Sequence, residues 1–258
     1  MNLLAFDTST DVMSMAVSRW VDGAPRVWQK EGPGGALASS GLIQGLLDLL
    51  QQADIPLKSL DAICFGSGPG SFTGLRTACS VAQGLAFGAE LPVLPIPSLL
   101  AVAEEARYRA LPQNQAVKII ALLDARMDEM YAASYAFDGQ RWTDIQLPCL
   151  LSPAGLETWE SAHTARCDAW AGNVFEVYAD RLLVPTEGRA PRVTALPTAS
   201  AMLRLAPSLI AAGFRVAADQ AMPIYIRDKV AKTTEERAVE KADKAEKIRL
   251  AESGSSHA

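Results

Sequence analysis

Gly66-Ser67-Gly68-Pro69-Gly70-Ser71-Phe72-Thr73-Gly74-Leu75-Arg76 stands between a short apolar run, Ala62-Ile63-Cys64-Phe65, and a helical pattern that continues to about Gly88. Three glycines and a proline in five positions suit neither a helix nor a regular strand, because glycine frees the backbone and proline fixes its own angle. The segment reads as strand, tight turn, helix. Ser71 or Thr73 is the expected N-cap, its hydroxyl accepting a free N–H of the first helical turn, a contact worth about 1 kcal/mol. Such a turn aims backbone donors at one spot, an arrangement that often holds phosphate. The glycines equally suit a turn that brings two elements close together.

Outward from this turn the same alternation of strand and helix continues. Leu3-Leu4-Ala5-Phe6 is an apolar run of the buried-strand type, and Asp7-Thr8-Ser9-Thr10 is turn chemistry. Met13, Met15 and Val17 alternate with Ser14, Ala16 and Ser18, Asp22-Gly23 closes that strand, and residues 26–29 suit a third, giving an antiparallel meander. A helix is predicted over residues 37–53, ended at Asp54-Ile55-Pro56. Residues 93–96 read as a strand, and Ser98 as the cap of a helix to about Tyr108.

The second half opens like the first. Aligning Asp7 with Asp124 places Asp11 on Asp128, Met13 on Met130 and Ala16 on Ala133, which suggests a duplicated strand–turn–strand unit. Further on, residues 169–173 read as a strand feeding a turn, and residues 198–212 as a helix stopped by Gly213. Two lobes, each a mixed sheet with helices, make an α/β protein of the two-lobed actin-like ATPase (ASKHA, ribonuclease-H-like) fold. The first lobe is expected over residues 1–110 and the second over 111–228, with the boundary in the polar, helix-breaking stretch around Pro112-Gln113-Asn114-Gln115. Residues 229–258 are crowded with charge, including Glu240 with Lys244 and Asp243 with Lys247 at helical spacing, and are expected to form a mobile solvated tail.

The chain has 258 residues, 49% of them hydrophobic, enough for a core that removes about 70–75% of the unfolded surface from water. Its net charge is −5 and no basic run precedes the tail, which argues against strong nucleic-acid binding by the chain alone. Cys64, Cys79, Cys149 and Cys167 are scattered among apolar neighbours with no Cys-x-x-Cys, so buried thiols in a reducing compartment are expected rather than zinc or disulfides. Asp7 interrupts the first apolar run and no basic region precedes it, so no signal peptide is expected. No apolar stretch is long enough to span a bilayer, and a cytoplasmic protein is expected.

GPGSFTGLR at 68–76, with LLAFDTST at 3–10, DARMDEMY at 124–131 and PIYIR at 223–227, closely resembles the TsaB (YeaZ) family over about residues 1–230. The resemblance implies the actin-like fold and a part in the bacterial machinery that makes threonylcarbamoyladenosine beside the anticodon of tRNAs. It implies a subunit with no activity of its own, which supports TsaD, the subunit that transfers the threonylcarbamoyl group. The ATPase TsaE is expected to join the pair, and tRNA to be met only through the complex.

The supply of catalytic groups is thin. His163 and His257 are the only histidines, neither has a second ligand one helical turn away, and no Gly-x-Ser-x-Gly elbow is present. TsaD carries a His-x-x-x-His metal pair on the first helix of its first lobe, and many TsaB members keep one of these histidines. This chain has Ala38 there, so no metal is expected. Asp7, Thr8, Ser9, Gly68, Gly70, Ser71 and Asp124 form the candidate nucleotide- or anion-binding set, because actin-like ATPases place magnesium with an Asp in the first turn. The competing reading of Asp7 is an Asx turn, its carboxylate accepting local N–H groups. No cofactor is required, with binding of ATP or ADP left as an alternative. Arg126 is expected to pair with Asp128 or to reach across the inter-lobe cleft. The competing function is an autonomous actin-like ATPase or sugar-kinase relative using Asp7 and the 68–73 turn on phosphate.

Two helices invite a partner. In the first, Leu42, Leu46, Leu49 and Leu50 share a face that Ile43 and Leu47 extend, while Gly41 and Gly45 sit four apart. Glycine inside a helix costs about 1 kcal/mol against alanine, which close approach of another helix would offset. In the second, Leu75, Cys79, Ala82 and Ala86 form the core stripe and small residues fill much of the rest. Leu37, Gly41, Leu42, Gly45, Leu46, Phe72, Arg76, Ser80 and Gly84 are the candidate interface. The resemblance implies pairing with a TsaD-type paralogue through these helices, and a homodimer through the same surface when TsaD is absent. The competing reading is that small residues pack the helices on their own sheet.

Overall fold

In the computed structural model, which describes residues 1–112, 115–163, 167–182 and 190–227, the opening meander is β1 (Leu3–Asp7), β2 (Val12–Val21) and β3 (Ala24–Pro33). Asp22 and Gly23 both take positive φ, 51° and 83°, as the tight hairpin between β2 and β3 requires. β4 (Ala62–Gly68) pairs parallel with β1, and β5 (Val93–Pro97) parallel with β4, giving the order β3-β2-β1-β4-β5. The second sheet repeats this plan. β6 (Val117–Asp124), β7 (Met130–Phe137), β8 (Trp142–Leu151), β9 (Ala169–Gly172) and β10 (Arg192–Thr194) are arranged β8-β7-β6-β9-β10. Each half therefore has a meander whose first strand is flanked by a parallel strand.

The helices are α1 (Leu42–Gln52), α2 (Phe72–Ala89), α3 (Ser98–Ala110), α4 (Leu156–His163), α5 (Val174–Val177) and α6 (Ala199–Ala211). They alternate with the sheets in layers. Leu4 and Phe6 of β1 face the core beneath α1 and α2, while Leu3 and Ala5 face the core shared by both sheets. Within that shared core α6 packs on β1, β2 and β4, α3 packs on β6 and β9, and the two helices pack on each other. Ile120 and Leu122 of β6 face the third core, toward α4 and α5. Central strands buried on both faces explain why β1, β4 and β6 read as continuous apolar runs.

Three local expectations change. The helix predicted over 37–53 is a 3-10 segment, Gly35–Ser40, followed by α1, with Gly41 as the N-cap between them. Gly41 therefore carries no mid-helix penalty. Ile43 and Leu47 lie on the exposed side of α1 and do not extend its buried stripe. Ser98 does not cap α3: Pro97 is the N-cap position and the Ser98 hydroxyl points elsewhere. Ser71 does cap α2, accepting the Gly74 N–H at 3.4 Å, and Thr198 caps α6. The expected lobe boundary falls between α3 and β6, where residues 113 and 114 lie outside the described residues, as does the 229–258 tail. Among the described residues, no helix is long and apolar enough to cross a membrane.

Candidate functional site

Strand β1 delivers Asp7 to the middle of the first sheet, where its side chain is fully buried. One oxygen, Oδ1, accepts the Ser9 N–H at 2.7 Å and the Ser9 hydroxyl at 2.6 Å. The other, Oδ2, accepts the Ser98 hydroxyl at 2.8 Å. This is the Asx turn of the competing reading, extended by a hydroxyl from α3. Burial pushes the Asp7 pKa from 3.8 to about 6, and the hydrogen bonds from Ser9 and Ser98 offset only part of that rise. Gly66 on the neighbouring strand leaves room for the carboxylate, since a Cβ there would overlap Asp7 Oδ2.

The glycine-rich turn closes on the same segment. The Ser71 N–H donates to the Ser9 carbonyl at 2.7 Å, and the Thr8 hydroxyl donates to the Gly74 carbonyl at 2.7 Å. A Cβ on Gly74 would overlap the Thr8 carbonyl, and Gly70 lies directly against Ser9. Gly68 sits at φ +108°, a conformation that favours glycine. The structure thus brings Asp7, Thr8, Ser9, Gly68, Gly70 and Ser71 together. Thr8 and Ser9 are buried, and the N–H groups of Ser9 and Ser71 are bonded within the chain.

Asp124 stands at the matching end of β6. Its N–H donates to Asn173 Oδ1 at 2.9 Å, and its Oδ1 accepts the Arg126 N–H at 2.9 Å and the Tyr178 hydroxyl at 2.7 Å. The Arg126 guanidinium lies 3.2 Å from Asp124 Oδ2 and bonds Asp11 in the first-half turn. Of the two expectations for Arg126, the reach to the other half is realised. Asp128 instead forms a two-pronged pair with Arg181, both contacts 2.8 Å, which holds its carboxyl below the usual range. Asn173, Tyr178 and Arg181 were not singled out from the sequence. The duplication was the available signal, since the segment after β9 occupies the place of the glycine-rich turn after β4.

The candidate interface residues separate into two groups. Leu42 and Leu46 are fully buried in the chain's own core, and a Cβ on Gly45 would meet Met15 Sδ at 2.7 Å. These three therefore serve α1's packing on its own sheet, because Met15 of β2 fills the space that a larger residue at 45 would take. Leu37, Phe72, Arg76, Ser80 and Gly84 are exposed, and Gly41 is half-buried. Leu37 at 66% and Phe87 at 81% exposure are large apolar residues left in water. The Arg76 guanidinium stacks 3.9 Å from the Phe72 ring centroid and donates to the Tyr225 hydroxyl at 3.2 Å. Residues 221–226 run along α2, where Cys79 Sγ and Gln83 Nε2 donate to the Ala221 carbonyl at 3.2 and 2.9 Å. Ala38 is buried, and among the described residues no group of three or more His, Cys, Asp or Glu side chains is placed to hold a metal.

A duplicated five-stranded sheet, helices between and outside the copies, and an Asp turn ending the first strand of each define an actin-like, ribonuclease-H-like α/β protein. The family model for TsaD, tRNA N6-adenosine threonylcarbamoyltransferase, matches residues 39–254. The tRNA threonylcarbamoyladenosine biosynthesis protein TsaB of Escherichia coli is 32% identical over 240 residues, covering 90% of this chain and 96% of that protein. The TsaB of Haemophilus influenzae is 30% identical over 246 residues, covering 89% and 95%. The solved structure of YeaZ from Pseudomonas aeruginosa superposes with a TM-score of 0.73 at 33% identity, over 87% of this chain and 99% of that one. The chain belongs to the TsaB (YeaZ) family.

Proposed function

We propose that this chain acts in the formation of threonylcarbamoyladenosine on tRNA, as a subunit that supports a TsaD-type partner and does no chemistry alone. The family membership supports the pathway. The observation that carries the supporting role is the contrast between the two faces of the first half. The Asp7 turn is filled by the chain's own hydrogen bonds, whereas Leu37 of the 3-10 segment, Ile43 and Leu47 of α1 and Phe87 of α2 are left exposed. Apolar side chains gathered on one exposed face favour a protein partner. Leu37, Gly41, Phe72, Arg76, Ser80 and Gly84, joined by Ile43, Leu47 and Phe87, form that face. The paralogue binds there, a TsaE-type ATPase joins the pair, tRNA is engaged only by the assembly, and the free chain pairs with itself through the same surface in the cytoplasm. The Asp7–Ser71 cluster is a structural clasp between two turns and needs no cofactor.

The test mixes the full chain with TsaD from the same source and reads complex mass and tRNA modification. A stable heteromeric complex and modification that requires both chains support the proposal. Modification by the chain alone, or no association with TsaD, overturns it. Steady ATP turnover by the chain alone, lost in Asp7→Asn, would select the autonomous ATPase instead.

A further inference from the structure

Two ion clusters fasten the halves together, and they differ in kind. The first lies between α3 and α6. Glu104 is buried, and its carboxylate accepts Arg107 Nε at 2.8 Å, Arg204 Nε at 2.9 Å and Trp142 Nε1 at 3.1 Å. Glu105 accepts Arg204 Nη2 at 2.6 Å and the Thr198 hydroxyl at 2.8 Å. Glu104 and Arg107 are buried while Glu105 and Arg204 are partly covered, so withdrawing Glu104 strips Arg107 of that carboxylate where it is poorly solvated.

In the second cluster only the bond between the halves is open to solvent; within its own turn the Arg126 guanidinium also lies 3.2 Å from Oδ2 of the buried Asp124 carboxylate. Arg126, in the β6–β7 turn, bonds Asp11 in the β1–β2 turn, with side chains 66% and 80% exposed. Water competes for such a pair and salt screens it. The turn that carries Arg126 is also strained: Arg126, Met127 and Asp128 take φ of 61°, 54° and 63°, the left-handed region that non-glycine residues avoid. The two clusters sit at different depths. Ser98, which bonds Asp7 at the turn end, begins α3, and Glu104 comes six residues later, about 9 Å along the helix axis.

We infer that the β6–β7 turn is a salt-sensitive latch between the halves. Arg126 closes it on Asp11, and it opens locally while the Glu104 cluster holds α3 and α6 in place. The weak, exposed pair acts against a strained backbone, so small changes in screening move the balance. The inference does not depend on the proposed function.

Amide hydrogen exchange on the full chain, followed residue by residue, tests it. The turn amides of Ala125 and Glu129, bonded to Glu129 O at 2.9 Å and Arg126 O at 3.1 Å, are the reporters. Raising salt from about 0.02 M to about 0.5 M should speed their exchange about threefold to fivefold, the scale an exposed ion pair supplies. Arg126→Gln and Asp11→Asn should each do the same at low salt, and the double variant should exchange no faster than Arg126→Gln alone. Amides of α3 and α6 should not change. Turn amides indifferent to salt and to both substitutions would overturn the inference. So would parallel acceleration in α3 and α6, which would mean that the halves loosen as a whole.

Discussion

Replacing Asp7 with Asn should stabilise the protein at neutral pH and leave it little changed in acid. The wild-type carboxyl, raised from 3.8 to about 6 by burial, holds its proton more tightly in the folded state than in the unfolded chain. The folded state therefore binds more protons between those two values, and stability falls as pH rises through that window. Below 3.8 both states are protonated and no penalty exists. Above about 6 the buried carboxylate is ionised and the loss is complete. A shift of about two units corresponds to roughly 3 kcal/mol. Asn carries no charge at any pH in this range. Its Oδ1 can accept the Ser9 N–H and hydroxyl as Asp7 Oδ1 does, and its amide can donate to the Ser98 oxygen that now donates to Asp7 Oδ2. Urea unfolding of both chains between about pH 4 and about pH 8 gives the difference, from which carboxylates common to both chains cancel. The Asn variant should gain up to about 3 kcal/mol at the upper end, seen in a thermal scan as roughly 6–12 °C, and only about 0.5 kcal/mol at the lower end. A variant whose stability differs from wild type by the same amount at every pH would refute the reasoning, because the titrating carboxyl would then lie elsewhere.

Gly66→Ala should cost roughly 3 kcal/mol in urea unfolding, because its Cβ overlaps Asp7 Oδ2 and the carboxyl cannot turn aside without losing its bonds to Ser9 and Ser98. Gly45→Phe and Gly84→Phe should behave as opposites. The first meets Met15 in the core and should unfold the chain or destabilise it by several kcal/mol. The second has nothing within 4 Å, so stability should stay within about 1 kcal/mol while affinity for a TsaD-type partner, read by calorimetry, falls at least about tenfold. Glu104→Ala should lower the free energy of unfolding by about 3 kcal/mol, since the buried Arg107 loses its carboxylate while Arg204, partly exposed, keeps Glu105.

Where neighbours in sequence decide the structure, the sequence could be read. β1, β4 and β6 are apolar on both faces because helices cover both, and the hairpin at Asp22-Gly23 announces its own geometry. The duplication was visible as Asp7 matched to Asp124. β8 was missed because it is a half-buried edge strand with Pro148 in it and register shifts opposite residues 132–135, which blur its alternation. The helix expected from residue 37 failed because 3-10 turns and α-helix share local composition, and only Gly41's backbone separates them. The rest depends on distant residues. Gly45 is small because of Met15, Ser98 serves Asp7 rather than its own helix, and Asp124 is held by Asn173 and Tyr178, some fifty positions away. Apart from the duplication, which points to the segment after β9, spacing along the chain carries little trace of such pairings.

The position of α6 bears on how the molecule is made. Residues 199–211 cover the inner side of a sheet whose first strand begins at Leu3. During synthesis the ribosome releases that sheet long before its cover, so Leu3, Ala5 and Ala62 emerge with one side bare. The nascent amino-terminal half thus exposes apolar surface until residues 199–211 leave the tunnel. A message truncated before codon 199 should yield a product that aggregates rather than a smaller working lobe.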